Sequence, residues 1–315
     1  MTDVVLAYLA KPRYGGWPTF TAHLQRGLRA AGHKPMLIQR GNRTENHLRD
    51  YGRKIHYQNL AERDIVRLAS EKPMLITAVD KHHHALAASL LAVGVPIVIH
   101  DPTELKPQVR DLIHKAKVIV IRESMLAHLP NATYTPHPYA RSAITNDKPR
   151  QAAASISRID FDKHTDIIIR ANQLLPEPIH IYGFLNTMYA HHKLLPIDEA
   201  WQANYRGKFA SDDLWGACRV ASQYERIVDM SAIKGDGGGT QYTFLEAADA
   251  GCALILNDAW KPTGRLRAYA HTVSQPEELA RLCQHPPHHK HQEALELLAH
   301  HNASPIADHI AGMLT

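Results

Sequence analysis

Apolar positions fall into short runs, each followed by a stretch with helical spacing, and this rhythm occurs twice along the chain. Val4-Val5-Leu6-Ala7-Tyr8-Leu9 is a short, strand-like run. The turn-rich Lys11-Pro12-Arg13-Tyr14-Gly15-Gly16 follows, and Thr19 to Ala31 then puts Phe20, Leu24, Gly27, Leu28 and Ala31 on one helical face. Gly32-His33 stops that helix, and Pro35 to Gln39 is a second strand. Further strands are predicted at Met74 to Val79, Pro96 to His100 and Val118 to Ile121, with helices at Ala85 to Val93 and Glu104 to Ala116. Strand, glycine loop, helix and strand in that order predict a parallel α/β sheet.

A polar, proline-bearing segment from Tyr134 to Pro149 breaks the rhythm and marks a domain boundary. The alternation then restarts. Strands are predicted at Ala153 to Ile156, Ile179 to Tyr182, Tyr205 to Gly207, Ile227 to Asp229 and Ala253 to Leu256. Helices are predicted at Lys163 to Leu175, Asp212 to Ser222, Thr240 to Ala250 and near Pro276 to Cys283. The expected division is a Rossmann-like unit over residues 1–145, a second over 146–290, and a helical segment over 291–315 that can cross back to the first. Two doubly wound halves leave a cleft between their strand ends, where ligands bind.

Composition narrows the class. Apolar residues at 44% and charged residues at 21% are those of a soluble globular protein, which excludes disordered and fibrous classes. Lysine plus arginine number 36 against 31 acidic residues, a surplus that favours an anionic ligand over a cationic one. Histidines number 23 and cluster at His82-His83-His84, His191-His192 and His285 to His291, so positive charge grows below neutral pH. Cys218, Cys252 and Cys283 are widely spaced and form no CxxC pair, which argues against a disulfide framework or a structural zinc site. The apolar Met1 to Ala10 is too short to span a bilayer and has its positive charge after it, unlike a signal peptide. The expectation is a cytoplasmic protein without stable membrane insertion, monomeric or weakly dimeric.

Four constellations carry candidate chemistry. Gly15-Gly16, between a strand and a helix, lets backbone amides approach a phosphate, although an ordinary tight turn needs the same residues. Arg158 and Lys163 lie where the first strand of the second half gives way to a helix, so that two cations can grip a diphosphate; a solvated loop is the alternative. Gly237-Gly238-Gly239-Thr240 runs towards a helix with Thr240 as its expected cap, and Glu246 follows on that helix. A carboxylate among small and apolar residues needs a partner, and a ribose diol supplies two hydroxyls. Finally, His100-Asp101 closes a strand of the first half and so points into the cleft, unless Asp101 or Thr103 merely starts the next helix.

The order of these elements resembles the retaining GT-B glycosyltransferases. Ile156-Ser157-Arg158-Ile159 with Lys163 resembles their diphosphate motif. Tyr205-Arg206-Gly207-Lys208-Phe209 with Asp213-Leu214 resembles the segment beside the nucleotide base. Gly237 to Glu246-Ala247 and Gly251 resembles the E-x7-E region, and Gly15-Gly16, Phe20, Leu24 and Gly32-His33 resemble the opening loop and helix. One departure stands out: Gly238 occupies the place of the first glutamate, and Asp236 is the candidate substitute. The resemblance implies a GT-B fold of two Rossmann-like domains and a UDP-sugar donor, UDP-glucose first among them, with no cofactor and no metal. It assigns the donor to Gly15, Gly16, Arg158, Lys163, Tyr182, Gly207, Phe209, Asp236, Gly237, Gly238, Gly239, Thr240 and Glu246. The D-x-D spacing of Asp160-Phe161-Asp162 falls inside the diphosphate loop and reads as coincidental.

The His100-Asp101 pair is similar to that of phage DNA α-glucosyltransferases, which act on hydroxymethylated pyrimidines in duplex DNA. Both residues are then catalytic candidates, orienting the donor sugar and the attacking hydroxyl. The first half carries Arg13, Arg40, Arg43, Arg49, Arg53 and Lys54 in expected loops, interleaved with Tyr14 and Trp17, which suits phosphates and bases. Arg13, Tyr14, Trp17, Arg40 and Arg43 are the acceptor candidates, and a base in a duplex has to leave its stack to be modified. Two alternatives stay open: a cell-surface polysaccharide or lipid acceptor, since such enzymes are also basic, and an inactive GT-B module that only binds nucleic acid.

Overall fold

The structure, a computed structural model, describes residues 2–10, 16–41, 47–50, 53–105, 107–113, 116–146, 148–208, 214–233, 238–285 and 290–314. The first half comprises β1 (Asp3–Leu9), α1 (Gly16–Ala30), β2 (Lys34–Arg40), β3 (His47–Asp50), β4 (Arg53–His56), β5 (Gln58–Leu60), α2 (Glu62–Glu71), β6 (Met74–Val79), α3 (His84–Ala92), β7 (Ile97–Ile99), α4 (Pro107–Ile113), β8 (Val118–Val120) and β9 (Thr133–Tyr134). Seven of these strands form one parallel sheet in the order β5-β2-β1-β6-β7-β8-β9. β1 lies inside it between β2 and β6, and Val4 to Leu9 are all fully buried, because helices cover both faces.

The second half comprises β10 (Gln151–Ile156), α5 (Thr165–Asn172), β11 (His180–Tyr182), α6 (Thr187–Tyr189), β12 (Tyr205–Gly207), α7 (Gly216–Ala221), β13 (Tyr224–Asp229), α8 (Tyr242–Asp249), β14 (Ala253–Asn257), α9 (Gly264–Tyr269), β15 (His271–Val273) and α10 (Pro276–Gln284). Its six strands are parallel, in the order β12-β11-β10-β13-β14-β15. Both sheets change winding direction beside their first strand, which opens a crevice at the carboxyl ends of the strands.

Several expectations are corrected. Arg49, Arg53 and Lys54 belong to an antiparallel hairpin, β3–β4, not to loops. α2 escaped the periodicity because Ile65 alone is fully buried on it, the rest of its sequence being largely polar. The helix expected over Glu104 to Ala116 is a 3₁₀ turn, Pro102–Glu104, followed by the shorter α4. Thr240 does not cap a helix: α8 begins at Tyr242, its N-cap is Gln241, and no side chain caps it.

Past α10 the chain forms α11 (His291–His300) and α12 (Ala303–Leu314). Ala294, Leu297 and Leu298 of α11 join the core of the second half. Ile306, Ala307, Ile310 and Ala311 of α12 pack with Phe20, Leu24 and Leu28 of α1 in the first. The two helices meet where Gly27 faces Ala303: a Cβ on Gly27 would lie 2.3 Å from the Ala303 carbonyl oxygen. Gly27→Ala therefore forces α12 away from α1. The expected cost is about 1–3 kcal/mol, read as a lower denaturant midpoint with an unchanged m-value.

Candidate active site

The carboxyl end of β7 delivers His100 into a buried setting. Its ring stands edge-on to Phe20 at 4.9 Å, 6.3 Å from Trp17, and the residue is 5% exposed. Nε2 lies 2.9 Å from the Thr77 carbonyl oxygen. A carbonyl only accepts, so Nε2 carries the ring proton. Burial lowers the pKa of His100 to about 4, so the ring is neutral at physiological pH and Nδ1 is left with a lone pair. That Nδ1 is buried and meets no hydrogen-bonding partner among the described residues.

Glu104, quoted in the sequence only as part of a helix, completes this corner. It accepts from the Trp17 indole N–H at 2.7 Å and from the His100 backbone N–H at 3.2 Å. Burial, with the Asp101 charge adding to it, raises its pKa to about 8. Trp17 is therefore half-buried in the wall of this corner. Arg40 pairs with Glu62 at 3.3 Å. The other acceptor candidates, Arg13, Tyr14 and Arg43, lie outside the described residues, as do Gly15, Phe209, Asp236 and Gly237. Gly16 opens α1 with free space around its Cα.

Arg122 links the two halves. It follows β8, donates through Nε to the His100 carbonyl at 3.1 Å, and reaches through Nη1 to the Gly238 carbonyl. Gly238 and Gly239 both adopt positive φ, +63° and +81°. At Gly238 a Cβ would meet only the movable tip of the Ile233 side chain, at 2.8 Å, so it is the positive φ that favours glycine there. The Trp260 indole N–H holds the Gly239 carbonyl at 2.9 Å. A cation just past a predicted strand end was a legible signal for Arg122; its partner, 116 residues away, was not.

In the second half, Lys163 is buried and donates through Nζ to Ser231 Oγ at 3.0 Å. Ser231 in turn donates to the buried Asp229 carboxylate at the end of β13, through its N–H at 2.8 Å and through its hydroxyl. Arg158 is exposed, and its guanidinium rests against Asp160 at 3.1 Å and Asp162 at 3.2 Å. Glu246 is 4% exposed, which removes the reading of a surface glutamate. It lies beside Tyr139, whose pKa burial pushes up, with the Glu246 carboxylate adding to the shift.

Tyr182 is placed differently from expectation. Its hydroxyl meets that of Tyr224 at 2.8 Å, and Tyr224 opens β13 rather than closing it, so the phenol leans away from the strand's carboxyl end. Gly207 has φ +77°, and its carbonyl accepts from Gly183 N–H at 3.0 Å. Gly183 was missed in the sequence, yet a Cβ there would overlap the Ser157 carbonyl, so only glycine lets the loops after β10 and β11 touch. Lys208 lies over the Phe184 ring at 4.3 Å.

No protein-family model matches the chain, and no curated protein matches its sequence. Solved structures match it from end to end. An alpha-glucosyltransferase in complex with UDP and a 13-mer DNA containing a central A:G mismatch is similar at TM-score 0.75 and 11% identity, with 100% of both chains covered. Anabaena HepE in complex with UDP and glucose is similar at TM-score 0.71 and 12% identity, covering 100% of this chain and 99% of that one. AviGT4, a glycosyltransferase involved in avilamycin A biosynthesis, is similar at TM-score 0.67 and 13% identity, covering 100% and 97%. At such identities the likeness is one of fold: the chain has the GT-B arrangement of two doubly wound sheets facing a cleft. No helix among the described residues is long and apolar enough to cross a membrane.

The burial of Glu104 and His100 gives stability a pH signature. Glu104 holds its proton more tightly folded than unfolded, so it costs stability as pH rises from 4.5 towards about 8. His100 holds its proton less tightly folded, so it acts oppositely between about 4 and 6.5. Above pH 6.5 Glu104 acts alone of the two. Glu104→Gln should therefore flatten the loss of stability between pH 6.5 and 8 in urea titrations; an unchanged slope would refute the assignment. Arg122→Ala should raise amide exchange at Gly238 and Gly239 without altering that at β1.

Proposed function

We propose that the protein is a retaining glycosyltransferase that moves a sugar, with glucose the first choice, from a UDP-sugar to the hydroxymethyl group of a modified pyrimidine in DNA. The observation that carries this reading is Arg122, which joins the carbonyl of His100 in one half to the Gly238 carbonyl of the glycine loop in the other. Likeness over the whole chain to structures that hold UDP, UDP-glucose or DNA supports it.

Glu246 takes the ribose hydroxyls, since a buried carboxylate accepts two of them well. Lys163 Nζ faces the diphosphate from its seat on Ser231, and Arg158 joins it by leaving Asp160 and Asp162. Amides at Gly238 to Thr240 face the phosphates and the sugar. His100 Nδ1, holding a lone pair, accepts a hydroxyl of the donor sugar and orients it. The acceptor oxygen then attacks the anomeric carbon on the face from which the phosphate leaves. The bond to the phosphate breaks, and the acceptor proton passes to the leaving phosphate or to Asp101. The cations stabilise the charge on the departing UDP.

Incubation with a panel of UDP-sugars and with hydroxymethylated or unmodified DNA, followed by weighing of the digested nucleosides, tests the reading. A hexose added only to hydroxymethylated DNA is expected. Transfer to a lipid or polysaccharide acceptor instead would overturn the acceptor, and absence of any turnover would overturn the enzyme. Lys163→Ala should lower kcat about 100- to 1000-fold, the usual cost of losing a group that stabilises developing charge. Glu246→Ala should mainly raise KM for the donor, through loss of a charged hydrogen bond of about 1.5–3 kcal/mol.

A further inference from the structure

The cluster His82-His83-His84 has no part in this chemistry, yet it borders a cavity of about 350 Å³ in the first half. The cavity lies between β7, α3 and α4, and its buried lining is aliphatic, with Ala87, Ile99 and Ile113 among it. Trp17 and Glu104 form a polar wall. Lys81 and His82 line it as exposed residues, with His84 half-buried beside them. The turn that carries them is fixed by Asp80, whose carboxylate accepts from His82 N–H at 2.9 Å and meets His83 Nδ1 at 2.8 Å.

We infer that this cavity seats the acceptor ring, a single pyrimidine swung out of its stack, with the phosphate of the same nucleotide on Lys81, His82 and His84. The inference rests on the DNA reading proposed above and locates its acceptor. Five observations carry it. The volume is at the small end of ligand sites, about 300–1000 Å³, which suits one ring rather than a long chain. Its aliphatic lining suits the faces of a flat ring, while Trp17 offers an aromatic neighbour. Glu104 puts hydrogen-bonding atoms in the wall, and its buried carboxyl keeps its proton at neutral pH, so the wall can donate to a ring carbonyl. Glu104 also holds the His100 backbone at 3.2 Å, so a ring in the slot lies next to the loop carrying Asp101. Lys81 outside an apolar slot, with the His82 and His84 rings beside it as hydrogen-bonding groups, matches a base inside and its phosphate at the opening.

Titration of the full-length protein with hydroxymethyl-deoxycytidine monophosphate, followed by calorimetry, tests the slot without any turnover. Ala87→Phe fills it and should weaken binding at least about tenfold while leaving UDP affinity unchanged. Lys81→Ala with His82→Ala should weaken the monophosphate about tenfold and leave the uncharged nucleoside unaffected, an arm that decides the matter should Ala87→Phe not fold. Undiminished binding by both variants overturns the proposal, as does tighter binding of decyl phosphate, or of ribose phosphate, than of the nucleotide. If the slot variants lose nucleotide binding but the wild type transfers no sugar to DNA, the slot stands and the DNA reading falls. If transfer to DNA persists undiminished in both variants, the DNA reading stands and the slot falls.

Discussion

The chain passes between the two sheets twice, and the passages are joined to each other by main-chain hydrogen bonds. Tyr139 N–H donates to the His301 carbonyl at 2.7 Å, and Ala303 N–H donates to the Tyr139 carbonyl at 3.0 Å. Side chains from both halves pack around this seam. His23 of α1 stacks on Tyr242 of α8 at 4.9 Å, and His137 stands edge-on to the same ring at 5.2 Å. The His301 ring meets the His137 carbonyl at 2.9 Å. Burial lowers the pKa of both His137 and His301, so these two rings stay uncharged at neutral pH. Trp215 adds a further tie, donating to the Ala140 carbonyl at 3.0 Å beneath the Arg26 guanidinium.

The cleft follows from this seam. With the sheets held strand end to strand end, the loop after β8 reaches the glycine loop after β13, and Arg122 spans the gap. The two sides then differ in kind. The first presents groups whose charge burial suppresses, His100 and Glu104. The second presents Lys163 and Arg158, each already beside an anionic or hydroxyl partner. A diphosphate suits the second side, while a neutral hydroxyl suits the first.

Much of the fold was legible because strands covered on both faces read as unbroken apolar runs, as Val4 to Leu9 and Ala253 to Leu256 do. β15, His271–Val273, was missed because an edge strand of three residues has no such run. Position within one motif was also legible: His100 directly follows β7, and Glu246 lies on α8. What escaped depends on contact between distant segments. Trp17 and Glu104 are 87 residues apart, and nothing local announces that the indole meets this carboxyl. Gly183 looks like any turn glycine until the Ser157 carbonyl is placed against it. Thr240 carries the right side chain for a cap, but Gln241 remains extended before α8 starts.

The closure of α12 on α1 bears on the order in which the molecule can be completed. Synthesis runs from the amino end, and domains fold as they emerge. Here the strands of the first sheet are all made before β10, but the helix that covers Phe20, Leu24 and Leu28 is made after the second sheet. The first half must therefore wait with an uncovered apolar stripe on α1 while the second is translated. α12 covers α1 only after α11 has joined the second core, so that a finished first half implies a finished second.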